Sequence, residues 1–246
     1  MLIGSTVTSI SDNGNAVVGS KPTDLLHVMF TRNKTHVQLR QVNTDYITGS
    51  TQIDEALRKS TLGAIISNQK IQAYNNDSTA IVFDMTGVFL SDNKKMSPFD
   101  RNSIYGMYNR TENYQSDCSY ISQIKAFKDN VSIKSCLSYT FSVSNSQGAS
   151  LIKDRPFTAE MTRSIMLLKE KPYRPRMADY RIGVFFTGRE QLGEGAKTTA
   201  PVYYANRWDI QPSDTAAYLR GEKVKPTKQI VFYIDNTFPE KWKQVR

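Results

Sequence analysis

The chain has 246 residues, of which 39% are hydrophobic and 22% charged, a composition that excludes a disordered chain and is long enough for one large or two small domains. No stretch approaches the roughly 18 consecutive apolar residues that a transmembrane helix needs. The net charge of +9 is uneven, because residues 1–150 carry 14 basic and 12 acidic residues, whereas residues 151–246 carry 18 and 11. The basic second part favours an anionic partner such as nucleic acid, anionic lipid or an acidic neighbouring domain, with a solvated basic face as the alternative.

The N-terminus has neither a basic start nor a long apolar segment, so it does not have the pattern of a signal peptide. Two interpretations follow. The protein is cytoplasmic, or it is exported and its targeting segment is missing from this sequence.

In the first hundred residues, alternation of apolar and polar positions predicts strands at residues 2–9, 27–31 and 36–42, the last two joined as a hairpin. Residues 50–59 predict a short helix, because Ser and Thr at the start are followed by early acids and late bases. Residues 64–66, 70–74 and 79–86 are expected to be extended.

The middle of the chain mixes weak and strong signals. Residues 100–117 are rich in Asn, Tyr, Ser and Arg without a period, and we interpret them as a loop in which helical turns can occur. Residues 119–127 have apolar positions three apart and predict helical turns. Residues 130–143 alternate clearly and predict a long strand. Residues 144–150 form a hairpin loop or a weak subdomain boundary, and residues 157–168 predict a strand, with a helix as the alternative.

Residues 171–187, which we call the arginine arm, combine two prolines with three arginines. Pro172 and Pro175 fix φ and remove backbone donors, so residues 173–177 are expected to form an extended connector. From Tyr180 onward, alternating apolar positions predict a strand. Ordering the arginines costs side-chain entropy, so we expect them to meet carboxylates, carbonyls or a second domain.

After the arm we predict a polar loop at residues 188–197, a strand at 198–210 and a capped helix at 213–221. Residues 229–235 are apolar enough for a strand buried on both faces, and Pro239 then marks the start of a helix. Because these two elements lie so close to the last residue, we expect this sequence to be the front part of a longer protein.

The sequence contains no motif of a self-sufficient active site, such as H-E-x-x-H, G-x-S-x-G or a phosphate-binding loop. Cys118 and Cys136 lack the spacing of a zinc site, and two unpaired, half-buried thiols are favoured over a single disulfide. Aromatic residues near arginines could stack the bases of a single-stranded nucleic acid, but the same residues alternating along strands are typical of a core. We therefore expect no nucleic-acid partner.

The fold class that these patterns predict is mainly β, a β-rich α+β fold. About nine strands, mostly antiparallel, would pack as a sandwich or a partly closed barrel with a few short helices.

Several segments resemble those of a known family: S-I-M-L-L at 164–168, K-P-Y-R-P-R-M-A-D-Y-R-I-G-V-F-F at 171–186, N-R-W at 206–208, K-Q-I-V-F-Y-I-D-N-T-F-P-E-K-W at 228–242 and, more loosely, I-V-F-D-M-T-G-V-F at 81–89 and S-Y-I-S-Q-I-K-A-F-K-D-N-V-S-I-K-S at 119–135. The order of these motifs resembles the N-terminal, non-catalytic region of large secreted bacterial zinc-dependent metalloproteases. Residues 1–30 add little to the resemblance.

The resemblance implies that residues 229–246 lead into a metzincin-like catalytic domain whose zinc is held by an extended H-E-x-x-H motif. None of those ligands is present in this sequence, so the resemblance implies an inactive accessory or pro-domain-like chain, with zinc in the absent domain. It also implies export to the periplasm, the outer membrane or the medium, often as a lipoprotein. The expected domains are residues 1–150, residues 151–228 with the arm, which are either separate from or continuous with the first, and residues 229–246.

The candidate interface with the protease domain comprises basic, acidic and tryptophan side chains: Arg174, Arg176, Asp179, Arg181, Arg207, Trp208 and Trp242. A sharper version has Asp179 reach the zinc as a latency carboxylate, since a carboxylate can occupy zinc's open position. We favour instead a pair between Asp179 and Arg181 or Arg176. The alternative function is a stand-alone extracytoplasmic module that binds a glycan or a peptide through residues 100–117.

Overall fold

The computed structural model describes residues 1–11, 16–99, 108–169, 174–193, 198–234 and 238–243. Strand makes up 49% of it and helix 11%, which confirms the β-rich fold class. The chain divides into two compact units. The first unit contains Met1–Glu170 and Glu190–Ala200, and the second contains Lys171–Arg189 and Pro201–Arg246. The domain boundaries expected at residues 150 and 228 stay predictions.

Eleven strands lie in the described residues: β1 Leu2–Ile10, β2 Leu26–Asn33, β3 His36–Gln41, β4 Tyr46–Thr48, β5 Ile65–Tyr74, β6 Ile81–Phe83, β7 Tyr108–Ala126, β8 Asn130–Asn145, β9 Ser150–Met166, β10 Phe186–Leu192 and β11 Ala200–Ala205. The described helices are α1 Thr51–Ser60, α2 Thr86–Phe89, α3 Thr215–Leu219 and two 3-10 turns, Lys94–Met96 and Glu240–Trp242. The predicted hairpin of β2 and β3, the long strand β8 and the helix α1 are confirmed.

Eight strands of the first unit form one antiparallel sheet in the order β6-β5-β3-β2-β1-β9-β8-β7. The sheet curls into a half-barrel. Of the two predicted architectures, a sandwich and a partly closed barrel, the partly closed barrel is therefore confirmed. Also in the first unit, the last three residues of β10 pair in parallel with β4, with Glu190 opposite Tyr46. Part of the segment predicted as a loop at residues 188–197 is therefore strand, while residues 194–197 lie outside the described residues.

A tight turn joins β8 to β9, as the sequence predicts for residues 144–150. The side-chain oxygen of Asn145 accepts hydrogen bonds from the backbone N–H groups of Gln147 and Ala149, at 3.0 and 2.8 Å. Gly148 adopts a φ of 85°, a left-handed conformation that glycine reaches without steric cost. Next to the turn Ser144 lies opposite Ser150, and two register shifts beyond that pair bring Tyr139 of β8 opposite Phe157 of β9.

Strand β7 corrects two expectations, the loop at residues 100–117 and the helical turns at 119–127. Residues 108–126 are one strand that pairs with β8, and residues 100–107 lie outside the described part of the chain. Because β7 is an edge strand whose side chains are mostly exposed, no apolar alternation marks it. Register shifts after Gln115 and after Ile121 also interrupt its period of two, which produced the helix-like spacing.

A second correction concerns residues 79–86, where the strand is only three residues long, Ile81–Phe83. The carboxylate of Asp84 accepts a hydrogen bond from the Thr86 N–H at 2.8 Å, and α2 begins there. A short polar side chain that bonds its own backbone in this way ends a strand.

One face of the sheet carries the core of the first unit. The buried side chains form two clusters, which we call the first cluster (around Val7, Leu137, Phe141, Phe157 and Met161) and the second cluster (around Ile3, Val28, Leu39, Phe89 and Ile133). Residues 86–99, which we call the covering segment, contribute Val88, Phe89 and Met96 to the second cluster and Phe99 to the first. The ring of Phe99 meets those of Tyr139 and Phe157 at centroid distances of 5.0 and 5.4 Å.

Arg163 of β9 is buried to 1% exposure at the junction of the two clusters. Its Nη1 donates to the carbonyl of Phe89 and its Nη2 to the carbonyl of Met96, both at 3.2 Å. No carboxylate among the described residues forms an ion pair with it. Burial lowers the pKa of Arg163 to about 10, so the side chain remains charged at neutral pH. The guanidinium therefore ties the covering segment to the sheet through carbonyl groups alone.

Truncation of Arg163 should destabilise the first unit. Arg163→Ala removes two charge-assisted hydrogen bonds and leaves a cavity, and we expect the free energy of unfolding to fall by about 3–5 kcal/mol. Arg163→Met keeps much of the side-chain volume and removes a buried charge, so its free energy of unfolding should fall by about 2 kcal/mol less than that of Arg163→Ala. Urea denaturation monitored by circular dichroism measures both.

The matched control is Lys153→Met, a cation on the same strand whose side chain is exposed. It should leave stability within about 0.5 kcal/mol of the unmodified protein. Hydrogen exchange of the Leu90 and Met96 amides should accelerate in both Arg163 variants and not in the control. Unchanged stability of Arg163→Ala would show that the guanidinium does not hold the covering segment.

Candidate interdomain surface

The described part of the arginine arm runs beside β11 in the second unit. The Ala178 N–H donates to the Tyr203 carbonyl at 2.8 Å, and the Ala205 N–H donates to the Arg176 carbonyl at 2.9 Å. An isolated antiparallel bridge joins Met177 to Tyr204. The arm is thus paired as an extended chain at residues 176–178, consistent with the predicted extended connector, while residues 171–173 lie outside the described residues.

A turn at Asp179 ends this extended stretch. The Ile182 N–H donates to the Asp179 carbonyl at 3.0 Å, and the Arg181 N–H donates to the Asp179 carboxylate at 2.9 Å. The strand predicted from Tyr180 is therefore wrong in its start, because β10 begins only at Phe186. An Asp side chain that bonds the backbone two residues on favours a turn over a strand.

The arm contains a bidentate ion pair between Asp179 and Arg181. Nε of Arg181 lies 2.9 Å from Oδ1 of Asp179, and Nη2 lies 2.5 Å from Oδ2. The hydrogen bonds from the Arg181 guanidinium hold the pKa of Asp179 below its usual range, and the backbone N–H of Arg181 adds to this effect. The favoured pairing of Asp179 with Arg181 is confirmed, and the carboxylate is occupied within its own turn.

The other predicted arginines use backbone partners. Nη2 of Arg207 donates to the carbonyl of Arg174 at 2.7 Å, which joins the segment after β11 to the start of the described arm. Arg176 contributes its carbonyl to Ala205, and its side chain is exposed. Trp208, next to Arg207, is also exposed. Five of the seven predicted interface residues, all but the two tryptophans, therefore hold the arm's conformation through side-chain or backbone contacts.

Trp242 lies in the second 3-10 turn, which follows Pro239 as the predicted helix start requires. Its ring is exposed, and Nζ of Lys241 lies 4.8 Å from the ring centroid.

The capped helix predicted at residues 213–221 is confirmed as α3, where the Asp214 carboxylate accepts a hydrogen bond from the Ala217 N–H at 3.0 Å.

The buried strand predicted at residues 229–235 is wrong. Residues 229–234 are described and form no strand, and Asp235 lies outside the described residues. The side chains in this stretch are exposed, with Phe232 at 81% and Tyr233 at 94%. A similar stretch lies in the arm, where Tyr180 is 97% exposed and Ile182 and Phe185 are exposed as well.

Sequence patterns missed this exposed apolar surface of the second unit, because an apolar run indicates burial without stating what covers it. We define the surface by the exposed large hydrophobic side chains in three stretches, residues 177–186, 203–219 and 230–242. Within the first of these, Phe186 packs edge-to-face on Tyr203 of the second, at a centroid distance of 5.1 Å.

The described residues contain neither a cluster of metal ligands nor a disulfide. No group of three or more His, Cys, Asp or Glu side chains there could hold a metal ion. Cys118 is exposed, Cys136 is half-buried, and both are free thiols, as the sequence analysis favoured. No helix in the described part of the chain is both long and apolar enough to cross a membrane.

The Asp179–Arg181 pair generates a prediction on pH. Arg181→Gln should raise the pKa of Asp179 towards the usual value of about 3.9, because the main cause of its lowering is gone. Since the pair lowers the folded-state pKa, its contribution to stability is present above the usual pKa and is lost as the pH falls through the folded-state pKa. NMR titration of the Asp179 carboxyl group measures the shift. Arg176→Gln is the control and should leave the pKa unchanged; a shift in that variant instead would assign the pair to Arg176.

Comparison with known proteins places the chain in a family without assigning an activity. No curated protein matches the sequence, and no solved structure matches it. One family model, described as a domain of unknown function (DUF5117), matches residues 19–213 and so covers well over half of the chain. This span contains the eight-stranded sheet except for β1, together with the described arm and β11. The chain therefore belongs to the DUF5117 family of domains of unknown function.

Proposed function

We propose that this chain is the non-catalytic, N-terminal accessory region of an exported zinc metalloprotease, and that its second unit packs on the catalytic domain and orients it. The resemblance of the motifs at residues 164–186 and 206–242 to such proteases supports the proposal. In this proposal zinc belongs to the catalytic domain. Export to the periplasm, the outer membrane or the medium is part of the proposal, and fractionation of the producing cells tests it.

The exposed apolar surface of the second unit is the observation that carries this proposal. Soluble domains seldom expose runs of three or more consecutive large apolar side chains, and such runs are typical of interaction sites. Residues 230–234 form a run of five, Ile-Val-Phe-Tyr-Ile, all of them exposed. Covering these side chains would stabilise a complex by roughly 25 cal/mol for each Å² of apolar surface removed from water.

Charge indicates the character of the partner. The second unit carries 13 basic and 6 acidic residues, a net charge of +7, whereas the first carries 19 and 17, a net charge of +2. A basic surface associates fastest with an acidic one and discriminates against basic partners. We expect the face of the catalytic domain that receives the second unit to be acidic around an apolar centre.

The polar contacts of the arm support a docking role because they set its shape before any partner binds. The Asp179–Arg181 pair closes the turn, and Arg207 fixes the carbonyl of Arg174. Tyr180 and Phe185 remain outward on this ordered backbone. A preorganised surface loses less conformational entropy on binding than a mobile one.

The stretch at residues 230–234 provides the first test of the docking surface. In the complete protein, Phe232→Asp should weaken contact between the accessory region and the catalytic domain by about tenfold or more, since a charge replaces a large apolar anchor. Limited proteolysis should then release the accessory region faster. The matched control is Phe127→Asp, an aromatic residue of the first unit that is 63% exposed, and it should not change the rate of release. Equal effects of the two variants would argue against docking through the second unit.

The reading frame beyond codon 246 provides the second test. Continuation into a segment with an H-E-x-x-H motif is the expected result. A natural stop codon at that point would overturn the accessory-region proposal and favour the alternative.

That alternative is a stand-alone extracytoplasmic module for a glycan or a peptide, and the edge of the sheet favours the peptide. β7 ends the sheet order and is 19 residues long, so its outer edge could pair with an extended peptide. Residues 108–117, part of the surface proposed from the sequence, lie in this strand.

A further inference from the structure

A pocket in the first unit lies between helix α1 and strands β2 and β3. Its volume is about 400 Å³, within the range of sites that take small molecules. Met29, Val42, Leu57 and Leu62 form its apolar lining. Leu62 is 86% exposed and Met29 is exposed as well, so both side chains have apolar surface open to solvent.

Helix α1 is built in a way that leaves this pocket open. Its polar outer side carries the pair between Glu55 and Lys59, at 2.9 Å, while Ile53 and Leu57 point to the opposite side. None of the ten residues of α1 is buried. An amphipathic helix normally buries its apolar side against its own domain, and here Leu57 of that side lines the pocket instead.

Gly63, which follows α1, also lines the pocket and lies against β3. A Cβ at this position would lie 2.4 Å from the Gln41 carbonyl oxygen, so only glycine permits the approach. The Gly63 carbonyl accepts a hydrogen bond from Nη1 of Arg40 at 2.9 Å. This close approach positions the chain after α1 on the guanidinium of Arg40.

Arg40 presents a fixed positive charge in the pocket. Its Nε and Nη2 both donate to the side-chain oxygen of Gln38, at 3.0 and 2.6 Å, and Nε also lies 3.2 Å from the Thr31 hydroxyl. All of these acceptors are neutral, and no carboxylate in the described residues pairs with Arg40. A guanidinium held flat in this way can still offer N–H groups to an anion.

The remaining charges of the lining also favour an anion. Arg58 of α1 is exposed and lines the pocket without a carboxylate partner among the described residues. Asp54 is the acidic residue of the lining, and its Oδ1 accepts a hydrogen bond from the Thr48 hydroxyl at 2.6 Å. The lining of the pocket therefore carries two cations, Arg40 and Arg58, and one carboxylate, that of Asp54, which already accepts a hydrogen bond.

We propose that this pocket binds an apolar molecule that carries a terminal carboxylate. The apolar part lies on Met29, Leu57 and Leu62, and the carboxylate accepts hydrogen bonds from the guanidinium of Arg40, with Arg58 adding positive charge. A free fatty acid and the C-terminus of an apolar peptide share this chemistry. The proposal is independent of docking by the second unit.

Isothermal titration calorimetry on the full chain tests the proposal with three probes. Decanoate represents a fatty acid, an N-acetylated Leu-Leu dipeptide with a free carboxyl group represents a peptide C-terminus, and decanol lacks the carboxylate. We expect saturable binding of at least one carboxylate probe and binding about tenfold or more weaker for decanol. The carboxylate probe that binds more tightly identifies the class of natural ligand, a fatty acid or a peptide C-terminus. No binding of either carboxylate probe at millimolar concentration overturns the proposal.

Variants locate the site. Arg40→Gln should weaken carboxylate binding about tenfold or more, whereas the matched control Arg32→Gln, an arginine of β2 that contacts Tyr74 outside the pocket, should leave it unchanged. If Arg40→Gln fails to fold by circular dichroism, Arg58→Gln on the exposed side of α1 serves instead, with a severalfold loss expected. Leu57→Asp should abolish binding. Full binding by the folded arginine variants and by Leu57→Asp would also overturn the proposal.

Discussion

The buried guanidinium of Arg163 is the contact on which the first unit depends most. Along β9, Met161 belongs to the first cluster and Ile165 packs against the second, so the charge lies where the two meet. Burying a charge is costly unless it is hydrogen-bonded, and the available partners are the carbonyls at the end of α2 and of the first 3-10 turn. The covering segment must therefore lie over the sheet in one position, which also brings Phe99 against Tyr139.

The two units differ in how much of their apolar surface they bury. The first unit buries two clusters of apolar side chains between a curled sheet and the covering segment, although other apolar side chains, among them Phe127 and Leu62 at the pocket beside α1, are exposed. The second unit orders its backbone with ion pairs and carbonyl contacts and leaves Tyr180, Phe232 and Tyr233 in solvent. The first unit therefore has a core of its own, whereas we propose that another domain covers the exposed apolar side chains of the second unit.

Sequence patterns predicted the elements whose information is local. The alternation of β8, the β2–β3 hairpin, helix α1 and the Asp214 cap of α3 arise from neighbouring residues, and all are confirmed, although the side chain of Ser50 at the start of α1 makes no capping hydrogen bond. The failures have physical causes of another kind. β7 lacks alternation because it lies at an edge and contains register shifts. Asp179 bonds the backbone of its own turn, so the strand predicted from Tyr180 begins only at Phe186. Of the seven predicted interface residues, the pairing of Asp179 with Arg181 was foreseeable from spacing, whereas the carbonyl partners of Arg207 were not.

The sequence by itself determined that the chain is β-rich, where its best turns and helices lie, and that its positive charge gathers in the second part, because these properties depend on residue type and short-range order. Only the tertiary structure decided which apolar residues are covered. Leu137 and Phe232 are both large apolar residues in segments whose sequence predicts a strand, yet Leu137 is buried in β8 and Phe232 is exposed. Burial depends on which strands become neighbours, and that pairing joins residues far apart in the chain. For the same reason, the sequence of the arginine arm predicted an extended connector leading into a strand, and only the tertiary structure decided that its apolar side chains are exposed.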